Sequence, residues 1–131
     1  MWHDMRGATV ALVVGALCLA STAAGAQTYP WHMLKDSEFK RAYYAVLGER
    51  VKERWLARLD GPANPIDELQ QGNEKVVIFN ACKPHNCDVS SAVVLYVPEK
   101  KKVYIRLYDS GTTSYLGKPS KQVRAFLDAK H

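Results

Sequence analysis

Cys82 and Cys87 bracket Lys83, Pro84, His85 and Asn86, the place in this 131-residue chain where thiols, an imidazole and an amine crowd most closely. Residues of these types could do four kinds of chemistry: close a disulfide, ligate a metal, shuttle electrons, or move a proton. A metal would need further ligands at suitable spacing, and His32 and His131 have no visible partners in the sequence. A redox dithiol usually has two intervening residues rather than four, and usually opens a helix. General acid–base work by His85 would want a partner group held by the fold; Asp88 is near, but no nucleophile pattern accompanies it. The reading is therefore a disulfide, with no catalytic residue, no metal and no cofactor expected. Whether that disulfide merely staples a turn or stiffens a working loop is left open by the residues alone.

The N-terminus bears on the same question. Arg6 gives a short basic region, weakened by Asp4, and Gly7 to Ala20 is almost wholly apolar. Ala24-Gly25-Ala26 then fits the small-residue pattern of a signal-peptidase site. Residues 1–26 thus read as a secretory signal, leaving a single domain over residues 27–131. The apolar stretch is shorter than the roughly 20 residues that span a bilayer, so no membrane insertion is expected after cleavage. Cys18 reads as apolar filler within the signal, because Gly15-Ala16-Leu17 before it does not suit lipidation. Two cysteines remain after cleavage, and in an exported protein an isolated pair is most simply a disulfide. Export and the even count support each other.

Charge excludes less than it first suggests. The formal net charge is +5, which would suit nucleic acid or anionic envelope polymers. The Lys and Arg residues are nevertheless spread along the chain, with only Lys100-Lys101-Lys102 forming a run. That run lies between two apolar stretches, where a solvated hairpin turn explains it. No nucleic-acid partner is expected.

The elements that must position the cysteine pair can be read from periodicity. Asp36 or Ser37 can cap a helix with Phe39, Tyr43, Val46 and Leu47 on one face. Gly48 interrupts it, and Val51, Trp55 and Leu59 continue at four-residue intervals, as a kinked helix or as two short ones. Gly61-Pro62 ends this segment, and Pro65 keeps the following residues extended. Val76-Val77-Ile78-Phe79 reads as a buried strand, Ala92 to Val97 as a second, and Val103 to Tyr108 as an alternating third. Asp109-Ser110-Gly111 turns the chain into a short stretch around Tyr115. Lys118-Pro119-Ser120 introduces a last helix with Val123, Phe126 and Leu127 on one side. The expected class is α+β: an antiparallel β-sheet meander, with helices at the N- and C-terminal ends packed on one face. The cysteine pair then sits in the connection between the first two strands of this reading. A ring so short holds little of the fold together, and its main effect is to restrict the four enclosed residues. Such a loop loses little conformational entropy on binding.

Cys82-Lys83-Pro84-His85-Asn86-Cys87 closely resembles the Cys-Lys-Pro-His-Asp-Cys signature of the inhibitor of vertebrate lysozyme (Ivy) family. The signal peptide, the helix with Phe39, the Trp55…Gly61…Pro65 segment and the strand entering Cys82 look like that family too. The resemblance covers most of the mature chain before Val97. It implies a periplasmic inhibitor of C-type lysozyme, without enzymatic activity, that inserts this loop into the enzyme's cleft with His85 leading. It is also compatible with a homodimer. Asn86 departs from the family's Asp and cannot form an ion pair. A periplasmic binding module for a cell-envelope polymer is the alternative; it would be indifferent to His85.

Overall fold

Asp36 begins the first substantial helix: its Oδ1 accepts hydrogen bonds from the Glu38 and Phe39 backbone N–H groups, at 2.9 and 3.3 Å. An unpaired carboxylate at this position satisfies N–H groups that the helix itself cannot. The structure, a computed structural model, describes residues 27–131. The signal-peptide reading of residues 1–26, Cys18 included, lies outside the described residues. A single turn, α1 (Pro30–Met33), precedes α2 (Ser37–Leu47). Gly48 closes α2 with φ 55°, a left-handed backbone that glycine adopts without strain. A 3-10 segment (Gly48–Lys52) then leads to α3 (Arg54–Arg58), so the interrupted pattern resolves into separate short helices. Tyr43 Oη donates to the Leu56 carbonyl at 2.6 Å and Tyr44 Oη to that of Ala57 at 2.7 Å, which ties α2 to α3.

Five strands follow as one antiparallel meander, in the spatial order β1 (Asp67–Gln71), β2 (Glu74–Cys82), β3 (Ser90–Val97), β4 (Lys102–Asp109) and β5 (Thr112–Leu116). The sequence reading lacked β1, whose residues are polar and exposed except for the half-buried Leu69. The β3–β4 turn carries the lysine run. Lys100 Nζ lies 3.0 Å from Glu74 and Lys101 Nζ 3.2 Å from Glu38, so two of its charges are held in surface ion pairs.

The α+β meander is as expected, but the helices do not share a face. Phe39, Tyr43 and Leu47 of α2, with Trp55 and Leu56 of α3, cover one side of the sheet. Phe39 packs edge-on to Phe79 and Tyr96 there, at centroid distances of 6.0 and 5.1 Å. The C-terminal helix α4 (Lys121–Ala129) lies on the other side, where Leu127 meets Val76, Ile78, Val93, Leu95 and Val97. The physical reason is in the strands. Val76–Phe79 and Ala92–Val97 are apolar at successive positions, and successive side chains of a strand point to opposite faces. Both faces therefore need cover.

Ser120 caps α4, accepting from the Val123 N–H at 3.2 Å. Its far end is tied down by Asp128, whose Oδ1 accepts from Tyr115 Oη at 2.5 Å and from Arg106 Nε at 3.0 Å. The Tyr115 hydrogen bond first, and then Arg106, hold this carboxyl below the ordinary carboxylate range. A depressed folded-state pKa means that the tie is intact above the unfolded value, near 3.9, and is lost as pH falls through the lower folded one. Acid should therefore loosen α4. Thermal unfolding followed from about pH 6 down to about pH 3 is expected to show a steeper acid fall in the wild type than in Asp128→Asn. Identical acid limbs would exclude Asp128 as a contributor.

Candidate functional site

The connection from β2 to β3 puts Lys83 to Val89 in solvent at one end of the sheet. Its ladder runs to the brim: Lys83 N–H donates to the Ser90 carbonyl at 3.0 Å. Beyond that point the Cys82–Cys87 disulfide closes the ring, with a Cα–Cα distance of 4.9 Å. The expected pairing is present.

Within the ring, Asn86 N–H donates to the Lys83 carbonyl at 2.9 Å, which makes residues 83–86 a β-turn. Pro84 occupies its second position and His85 its third. His85 has φ 67°, and a positive φ at the third position after proline is the pattern of a type II turn. That position normally favours glycine, because a side chain there crowds the backbone. An imidazole placed at it is held, exposed, at the corner of the turn, at some cost in strain. The Asn86 carbonyl then accepts from both Val89 N–H and Ser90 N–H, at 3.0 and 2.8 Å, and this second turn returns the chain to β3.

Two neighbouring segments buttress the loop. On one side is Gly61, where a Cβ would run into the Cys82 carbonyl oxygen and come within 3.4 Å of Pro84 Cδ. Leu59 anchors that segment, 1% exposed and in the left-handed conformation that ends α3. Cys82 Sγ also lies 3.4 Å from the Pro62 carbonyl oxygen. On the other side stands the β4–β5 turn. Asp109 Oδ1 accepts from the buried Ser90 hydroxyl at 2.9 Å and from the Ser110 hydroxyl at 3.2 Å, while Ser110 N–H donates to the Val89 carbonyl. The loop is restrained by its covalent ring and from both flanks.

This arrangement suits presentation more than turnover. His85 and Asp88 are both exposed on the loop, where water is not excluded. A groove of about 490 Å³ beside Lys83 and Pro84 is lined by Glu53, Arg54, Trp55 and Asp60, and His85 is not among its walls. Among the described residues, no three His, Cys, Asp or Glu side chains come together as a metal site, and no helix is long and apolar enough to cross a membrane.

Residues 38–130 match the family described as "Inhibitor of vertebrate lysozyme (Ivy)". The chain belongs to the Ivy family. A Pseudomonas aeruginosa protein named "Inhibitor of vertebrate lysozyme" is 28% identical to it, over 91% of this chain and 88% of that one. An uncharacterised Yersinia pestis protein is 24% identical, over 65% of this chain and 64% of its own.

In this Ivy-family chain, Cys82, Lys83, Pro84, His85, Asn86 and Cys87 form one continuous exposed surface, apart from the half-buried Cys82. Three supporting features escaped the sequence reading. Gly61 reads from the sequence as the end of a helical segment, whereas in the fold its missing Cβ lets two segments touch. The Asp109 hub joins residues far apart in the chain. The left-handed His85 had only Pro84 before it as a local signal, since nothing in its own residue type demands a positive φ.

Proposed function

We propose that the protein inhibits a C-type lysozyme by inserting the Cys82–Cys87 loop into the enzyme's substrate cleft, His85 leading. Membership of the Ivy family supports lysozyme as the partner. The observation that carries the mechanism is the exposed His85 at the corner of a turn braced covalently and from two sides. A retaining glycosidase sets two carboxyl groups about 5–5.5 Å apart, one protonated as the acid and one ionised. A protonated imidazole donates from both ring nitrogens, so His85 can bond to both carboxyls at once. Inside a water-poor cleft such charge-assisted bonds are strong. Pro84 sets the approach angle, and Lys83 adds a mobile cation. Asn86 contributes its backbone carbonyl to the loop's second turn, a task that needs no carboxylate.

Such a protein is a ligand and not a catalyst. It works in the periplasm, after residues 1–26 are removed as a signal. Its net charge of +5 opposes the approach of a basic lysozyme, although screening over about 8 Å at physiological salt reduces that opposition. Slow dissociation then sets the affinity. Protein from Gln27 onward, mixed with a C-type lysozyme on cell-wall substrate, is expected to stop lysis at near-stoichiometric ratio and to do so at high salt. Undiminished lysis would remove this reading and favour the envelope-polymer alternative. Release of product from peptidoglycan fragments by the protein alone would instead reveal an enzyme.

A further inference from the structure

Two large apolar side chains among the described residues are notably exposed, Trp31 at 37% and Val89 at 41%. Trp31 has a partner within the chain: Tyr29 stacks on it in parallel, with centroids 4.7 Å apart. Val89 stands on the functional loop itself, just outside the cysteine ring. Its backbone is pinned at both ends, the N–H to the Asn86 carbonyl at 3.0 Å and the carbonyl to Ser110 N–H at 2.9 Å. Next to it, Ser90 is 5% exposed, with its hydroxyl on Asp109. The main chain that carries Val89 is thus ordered before any partner arrives, and a branched side chain has few rotamers left to lose.

We propose that Val89 is a second contact point with the lysozyme, an apolar anchor that seats against the wall of the substrate cleft beside the carboxyls reached by His85. This rests on the function proposed above and adds the element that specifies the fit. Clefts that take small organic ligands are lined mainly by apolar and aromatic side chains with a few placed polar groups. An inhibitor with only polar contacts would leave that lining wet. One ordered loop presents both chemistries, the imidazole within the ring and the valine after it. An apolar contact also suits two basic partners, because salt does not screen it and like charge does not weaken it. Interface energy tends to concentrate in a few such well-fitted anchors.

The test uses the full mature chain with Val89→Asp and Val89→Thr, assayed for inhibition of the same lysozyme alongside wild type and His85→Gly. Val89→Asp places an acid opposite a basic enzyme, so long-range attraction rises while the apolar contact is lost. Inhibition weaker by at least tenfold, about 1.4 kcal/mol, with an unchanged unfolding midpoint, is expected. Val89→Thr keeps the branched shape, exchanges a methyl for a hydroxyl and should weaken inhibition several-fold; it decides the matter if Val89→Asp does not fold. Both variants within twofold of wild type, with His85→Gly impaired, would overturn the anchor and leave the proposed function standing. A wild-type protein that does not inhibit removes both.

Discussion

His85→Gly is expected to leave the fold as stable as the wild type, to within about 1 kcal/mol, while weakening lysozyme inhibition at least tenfold, about 1.4 kcal/mol. Two opposing effects keep the stability level. Glycine relieves the strain of φ 67° at residue 85, and it also gives the unfolded chain more freedom to lose. The loop's other restraints stay in place, namely the disulfide, Pro84 and the Lys83–Asn86 turn bond. Function has no such compensation. Hydrogen bonds to charged groups contribute roughly 1.5–3 kcal/mol each, and an imidazole between two carboxyls makes two of them. A loss beyond about a hundredfold is therefore within reach of the mechanism. His85→Ala should lose inhibition equally while keeping the backbone strain. Comparing the pair by inhibition titration and thermal unfolding separates imidazole from turn. Full potency in the glycine variant would show that the turn's shape, and not the ring, does the blocking.

Gly61→Ala should damage both stability and inhibition, although residue 61 is no part of the loop. The new methyl would meet the Cys82 carbonyl oxygen, which is main chain and cannot rotate away, and would press on Pro84 Cδ. Leu59 holds the other end of the segment in the core, so the segment has little room to retreat. Something must shift, and Cys82 is the last residue of β2, where the sheet gives way to the loop. Forcing a methylene-sized group into packed structure costs about 1–3 kcal/mol. A displaced Cys82 carries the cysteine ring with it, and a 1 Å misplacement of a positioned group is enough to lose much of a tight contact. We expect a lower unfolding midpoint together with at least tenfold weaker inhibition. An alanine variant with wild-type inhibition would mean that this segment does not aim the loop.

What could be read from the sequence follows from how local each signal is. Asp36, Ser120 and the apolar positions of α2 and α4 act within a few residues of themselves, and they appear where they were expected. The cysteine pair needed only its spacing and the expectation of export, and its bond is present. β1 was missed because an edge strand with few buried positions shows no apolar alternation. The side taken by α4 was misjudged even though the unbroken runs Val76–Phe79 and Ala92–Val97 already demanded cover on both faces. Gly61 and Asp109 were illegible for a different reason. Their roles arise from contacts across the fold, which no window of neighbouring residues contains.

The polar strand β1 also decides how this protein behaves among its own copies. Without it, β2 would be the sheet's border, offering unpaired amides along a run of Val76, Val77, Ile78 and Phe79 to any chain that passed. Such a run joins readily into stacked fibres. Asp67, Glu68, Gln70 and Gln71 end the sheet instead on a hydrated, charged margin. The segment with a single apolar residue, Leu69, thus gives this side of the sheet a border that discourages further strands from joining.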